Sequence, residues 1–245
     1  MTLQAKLISL TLPWLLLLHT DQALAGPGGM IAKAVWNSTW GKILIGLLVL
    51  FFLPLILLSL IAEHRAVRRS RRDLRFMAKH SELFEWLSLR ERAQDCFYQL
   101  HVAWARQDLQ LAEAHISDWY RQNQQAVYLD RWQRKGLVNH CDIKRISQIK
   151  PVLFVHRNVE AAHQHSLLVL SITARQQDYL LEKKSGQIVE GDKRYKEVET
   201  IWTLRLEDQQ WRVNNIEEAS CLFDYVSQRK GLPAIEQTVR NRLEA

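Results

Sequence analysis

Cysteine is scarce in this chain. Cys96, Cys141 and Cys221 are the only three in 245 residues, they lie far apart, and no Cys-x-x-Cys pair exists. An odd number at such spacing makes no disulfide framework, and in a reducing compartment it predicts free thiols. The sequence also lacks a nucleophile elbow, a phosphate-binding loop and a paired-carboxylate motif, which removes the usual sequence signs of a hydrolase or nucleotide enzyme. No internal repeat or low-complexity segment follows residue 80. Positive charge is in excess but confined. Six arginines against Glu63 and Asp73, all between residues 63 and 75, account for four of the formal net charge of +7. The remainder of the chain is close to balanced, which argues against a dedicated nucleic-acid-binding face.

What the chain does have is one long apolar run. Ile43 to Ala62 reads ILIGLLVLFFLPLILLSLIA, without a charge. At about 1.5 Å of rise per residue such a helix spans about 30 Å, the hydrocarbon thickness of a bilayer. Pro54 removes one backbone hydrogen bond, which membrane helices tolerate. The alternative, a buried core helix, rarely lacks polar residues on every face. The rest of the chain is placed by its side of this run.

Residues 1–25 have the pattern of a secretory signal peptide: Lys6, an apolar Leu7–Leu18, and a small-x-small Ala23-Leu24-Ala25 before Gly26. An uncleaved first membrane helix is the rival reading. Residues 26–42 form a short linker, and Trp36 and Trp40 suit the headgroup region. Residues 63–80 carry Arg65, Arg68, Arg69, Arg71, Arg72 and Arg75. Arginines close behind a membrane helix place that side in the cytoplasm, whether or not the signal is cleaved. Arg65, Arg68, Arg69 and Arg72 share one helical face at this spacing and are the candidate lipid-binding residues. Such a face attracts anionic lipid by about 1 kcal/mol per basic residue. The simpler alternative is that the cluster only sets topology.

Residues 81–245 are long enough for one domain with a sizeable core. Ser88-Leu89-Arg90-Glu91 has the capping-box pattern. The helix it opens carries Ala93, Cys96, Phe97, Leu100, Ala103 and Trp104 as one apolar stripe. Asp108 is a candidate N-cap for a short helix to Ile116. Ser117 or Asp118 then caps a third helix, whose apolar face includes Tyr120, Val127, Tyr128 and Trp132 and which ends at Gly136. From there the period changes to that of strands. Asn139–Ile149 and Val152–Val155 flank Pro151, as two pieces or one bent edge strand. Ser166–Leu181 is a long strand with Leu168, Leu170, Ile172 and Ala174 on one face. Turns are expected at Ser185-Gly186, Gly191-Asp192 and Glu207–Gln209. Val198, Thr200, Trp202, Leu204 and Leu206 alternate on the next strand. Trp211, Val213 and Ile216 share a face if a one-residue bulge intervenes. A last helix is expected after Leu232, with Pro233 at its first position. Helices followed by antiparallel strands make an α+β pattern. A curved sheet over a helical hairpin leaves a cone with a hollow mouth.

The run FYQLHVAWARQDLQLAEAHIS, from Phe97 to Ser117, resembles the helical signature of the Tim44-like domain family: an aromatic residue, then Ala103-Trp104, then Asp108 and Leu109. Gly136 and Asn139 are similar to the Gly-x-x-Asn that leads into the family's first strand. Glu199-Thr200-Ile201-Trp202 and Trp211-Arg212-Val213 are similar to its closing hairpin. The resemblance covers Leu83 to Glu217. It extends to the anchor of the mitochondrial import motor, to a large-subunit protein of mitochondrial ribosomes and to bacterial membrane proteins. It implies a cone-shaped fold like nuclear transport factor two, with membrane association and work in protein complexes rather than catalysis. The chaperone-binding arm of the mitochondrial anchor is replaced here by the signal, the span and the arginines, so chaperone recruitment does not carry over.

Three functions are therefore in view. One is a membrane-anchored, non-enzymatic module at a bacterial inner membrane, with a protein partner or anionic lipid and no cofactor. The second is a ribosome or nascent-chain receptor. The third is a small enzyme, for which His101, Asp108 and Asp178 are the candidate groups. His101 is expected at a helix edge, Asp108 as a cap and Asp178 solvated near a strand end. Trp104, Trp132, Trp202 and Trp211 are expected in the core, or in a pocket whose mouth accepts an acyl chain. His163 and His165, two apart on a strand, share a face and with His156 offer a metal site. Exposed strand histidines are the simpler reading, and no metal is assigned.

Overall fold

A computed structural model describes residues 36–157, 162–237 and 239. The proposed signal peptide and most of the linker lie outside the described residues. The chain divides into a first unit ending at Ile61 and a second from Ala62 to Ala245.

The first unit contains most of helix α1, Thr39–Ala78. Its apolar part carries no charge and is unburied along its length. It is the one helix among the described residues long and apolar enough to cross a membrane. Water offers such a surface nothing favourable, and bare leucine and phenylalanine on every side are the pattern of a membrane anchor.

The second unit opens with the last turns of α1. Ala66, Ser70, Asp73, Leu74 and Met77 are buried there, at the spacing of one helical face. Leu74 and Met77 enter the main core, and Ala66 packs with Val152 and Val226. A short 3-10 turn, Glu82–Phe84, follows the Ser81 cap and buries Phe84. Helix α2 spans Trp86–Ala105. Its cap is the Glu85 carboxylate, which accepts from the Leu87 and Ser88 amides, so the Ser88 capping box is corrected by three residues. The expected stripe is buried from Ala93 to Ala103. Asp108 and Ser117 cap the segments Leu109–His115 and α3, Asp118–Gln124, as their side-chain chemistry dictates. A π-helical turn, Gln125–Leu129, then leads into α4, Asp130–Lys135. The extra residue of a π turn rotates the face that follows. Leu129 is buried as a result, while Val127 and Tyr128 are exposed against expectation. Gly136, at φ +65°, terminates α4 in the left-handed conformation that glycine adopts without strain.

Four antiparallel strands follow in the order β1-β2-β3-β4. Strand β1, Leu137–Val155, is one bent edge strand that carries Pro151 through a register shift. The missing amide of proline costs least on an edge. Strand β2, Leu167–Glu182, sends Leu168, Leu170, Ile172 and Ala174 into the core under α2. Strand β3, Ile188–Glu207, is continuous through Gly191-Asp192, where a turn was expected. The chain bulges there instead: Asp192 pairs with Asp178 and Lys196 with Gln176. Gly191 has φ +76°, and a Cβ on it would sit 2.4 Å from the Asp178 carbonyl oxygen. Gly191→Ala is expected to destabilise the domain by about 1–3 kcal/mol. An unchanged midpoint in urea unfolding would refute that role. In β4, Gln210–Glu218, Asn214 is the extra residue between Val213↔Leu204 and Asn215↔Thr203. That bulge brings Ile216 opposite Trp202, as the spacing predicted.

The sheet's other face is covered by a helix absent from the sequence reading, α5, Leu222–Gln228. Leu222 and Tyr225 pack there on Leu153, Val169 and Ile201. Only Val226 of α5 is buried and Phe223 is 62% exposed, so the helix has little periodic signal. Residues 235–237 are helical where the last helix was expected. Helices packed on a four-stranded antiparallel sheet make this an α+β domain.

Candidate functional site

The second unit carries an open cavity of about 380 Å³, with Asp178 and Glu190 exposed to solvent at its lining. Leu100, His101 and Trp104 reach it from the end of α2, and Tyr120, Tyr128 and Trp132 from the helices after Ser117. The sheet contributes Asn139, Cys141, Gln176, Asp178, Glu190 and Thr200. The strand period explains this floor. The residues that face the helices are apolar from Leu168 to Ala174, and the same face of β2 continues as Gln176 and Asp178.

His101 is not at a helix edge. Its ring stacks over Trp202 at 5.9 Å and lies 4.1 Å from the Phe97 ring. Burial holds its pKa down to about 4, so it is neutral near pH 7. Its Nδ1 lies 2.7 Å from the Phe97 carbonyl oxygen. That oxygen only accepts, so Nδ1 carries the hydrogen and Nε2 is left as an acceptor. Asp178 is raised above the usual carboxylate range by burial, with the nearby charge of Glu190 adding to the rise and a hydrogen bond from Asn139 opposing it. Burial pushes the Cys141 thiol up to about 12, so it is not a thiolate nucleophile at neutral pH. Of the three residues weighed for catalysis, the fold brings His101 and Asp178 into one cavity, while Asp108 is spent on its cap.

Trp104, Trp132 and Trp202 line this cavity. Trp202 is buried, and its Nε1 donates to Thr200 Oγ1 at 2.8 Å. Trp211 is elsewhere: it packs on Phe84, and its Nε1 donates to the Leu83 carbonyl. Tyr120 was expected on an apolar helix face and Asn139 at the start of the first strand, but neither as a site residue, and Gln176 and Glu190 were not singled out from sequence at all.

The arginines of α1 divide. Arg69 turns into the domain and donates to the carbonyls of Arg229, Leu232 and Pro233 at 3.0, 2.8 and 2.8 Å. It also lies 3.5 Å from the Asp73 carboxylate. Arg65, Arg68, Arg72 and Arg75 are exposed, at a spacing that puts them on one face. Arg71 stacks over the Trp86 ring. Sequence spacing could not separate Arg69 from its neighbours, because its acceptors lie about 160 residues away.

His163 and His165 are not on a strand. They stand in the turn before β2 with φ of +62° and +64°. His163 Nδ1 lies 2.9 Å from His156 Nε2, and no group of three metal-ligating side chains forms among the described residues.

The profile of the Tim44-like domain matches residues 70–218. Among solved structures, the intermembrane-space region of the chloroplast protein ARC6 is similar, with 8% identity and a TM-score of 0.35, over 53% of this chain and 96% of that one. No curated protein matches the chain.

Proposed function

We propose, on the premise that this chain belongs to the Tim44-like domain family, that it is a single-pass membrane protein whose domain holds a protein partner or anionic lipid at the cytoplasmic face of a bacterial inner membrane. Protein translocation or the assembly of membrane complexes is the work that fits such a module, and no catalytic step is assigned to it. In this reading residues 1–25 are the signal, 43–62 the span and 63–80 a basic neck.

The observation that carries the reading is the exposed face of Arg65, Arg68, Arg72 and Arg75 directly after an unburied apolar span. Arg69 is left out of the lipid-facing set, because its guanidinium already binds three carbonyls. Each exposed arginine adds about 1 kcal/mol of attraction to an anionic surface. A soluble fragment of residues 62–245 should sediment with phosphatidylglycerol vesicles and not with phosphatidylcholine vesicles. Binding should fall as salt brings the Debye length below about 10 Å. Replacing Arg65, Arg68 and Arg72 with Gln should remove most of it. Arg69→Gln should instead lower the unfolding midpoint. Failure of the unmutated fragment to bind at low salt would leave the arginines with topology as their only role.

A further inference from the structure

The cavity differs from the rest of the molecule in its charge. The chain has 33 lysines and arginines, yet none lines it. Its charged residues are Asp178 and Glu190, close enough that the charge of one raises the pKa of the other. Neither forms an ion pair among the described residues. Three of the aromatic rings in the same lining stand together: Trp104 is 5.5 Å from Trp132 and 6.0 Å from Tyr128, and Tyr128 is 6.0 Å from Trp132. Their planes are tilted by 56° to 71°, so the rings present faces in different directions.

We propose that this cavity binds a compact organic ammonium ion, with its charge toward Asp178 and Glu190 and its alkyl groups against Trp104, Tyr128 and Trp132. An anion would meet two carboxylates and no cation. A wholly apolar ligand would strip water from the Asp178 and Glu190 carboxylates and from Gln176 without replacing it. A bare divalent metal needs several oxygen ligands in one place, and no cluster of three ligating side chains forms among the described residues. An alkylammonium ion satisfies both halves of the lining, because aromatic faces attract weakly hydrated cations and carboxylates neutralise them. His101, held neutral, adds no opposing charge. A volume of about 380 Å³ admits such an ion together with water.

The test uses the full chain in a maltoside detergent, with choline chloride as the probe and tryptophan emission as the readout. Trp104, Trp132 and Trp202 all line the cavity, so occupancy changes their environment. Choline should give a saturable change that sodium chloride at equal ionic strength does not. Its neutral carbon isostere, dimethylbutanol, should bind at least about tenfold more weakly, because it loses the attraction of the aromatic faces and of the two carboxylates together. The double variant Asp178→Asn, Glu190→Gln, with its unligated near-ultraviolet circular dichroism unchanged, should lose at least about as much. Arg65→Gln, Arg68→Gln and Arg72→Gln together should leave choline binding intact, which separates this site from the lipid-facing arginines. No saturable response to choline, an equal response to dimethylbutanol, or undiminished binding by the folded double variant would each overturn the proposal.

Discussion

A fragment that begins at Ser81 is expected to lose most of its stability, while one that begins at Ala62 keeps it. The apolar side chains of Leu74 and Met77 are 0% and 1% exposed in the main core, although both precede Ser81. Deleting a buried side chain of this size costs about 2–5 kcal/mol. Two of them approach the whole margin of an ordinary domain, about 5–15 kcal/mol. The cut also removes Arg69, which satisfies three carbonyls, and Glu63, whose carboxylate lies 2.6 Å from the Lys150 ammonium. Urea unfolding of the two fragments, followed by tryptophan emission, would measure the difference. Equal midpoints would mean that the last turns of α1 only lie against the domain.

Trp202→Ala is the single substitution expected to do the most damage. Trp202 is 1% exposed, packs at 5.0 Å on Phe97 and carries the ring of His101. Its loss should cost about 3–5 kcal/mol, the transfer free energy of the ring plus the void it leaves. It would also leave Thr200 Oγ1 without the indole hydrogen. Trp202→Phe should cost less, because most of the apolar ring stays. A loss below about 1 kcal/mol for the alanine variant would show that the neighbouring cavity absorbs the void, since the cost of such a change depends on how far the site collapses.

Strand β2 was legible from its alternation because it is a central strand with one face wholly in the core. The one-residue bulge at Asn214 was legible because Trp211, Val213 and Ile216 share a face only if it exists. Gly191 was read as a turn, since an isolated glycine beside an aspartate has that local meaning. What makes it a bulge is the Asp178 carbonyl on the neighbouring strand, a contact with no trace in local sequence.

By itself the sequence determined much of what neighbours along the chain carry. The apolar run of α1, the caps at Asp108 and Ser117, the stop at Gly136 and the alternation of β2 each depend on residues within a turn or two. The tertiary structure alone decided which charges face the domain and which face out. It sent Arg69 to carbonyls near residue 230, and it set His101, Asp178 and Glu190 around one cavity. Those outcomes depend on strand register and helix rotation, and one residue of bulge or π turn moves a side chain to the other face.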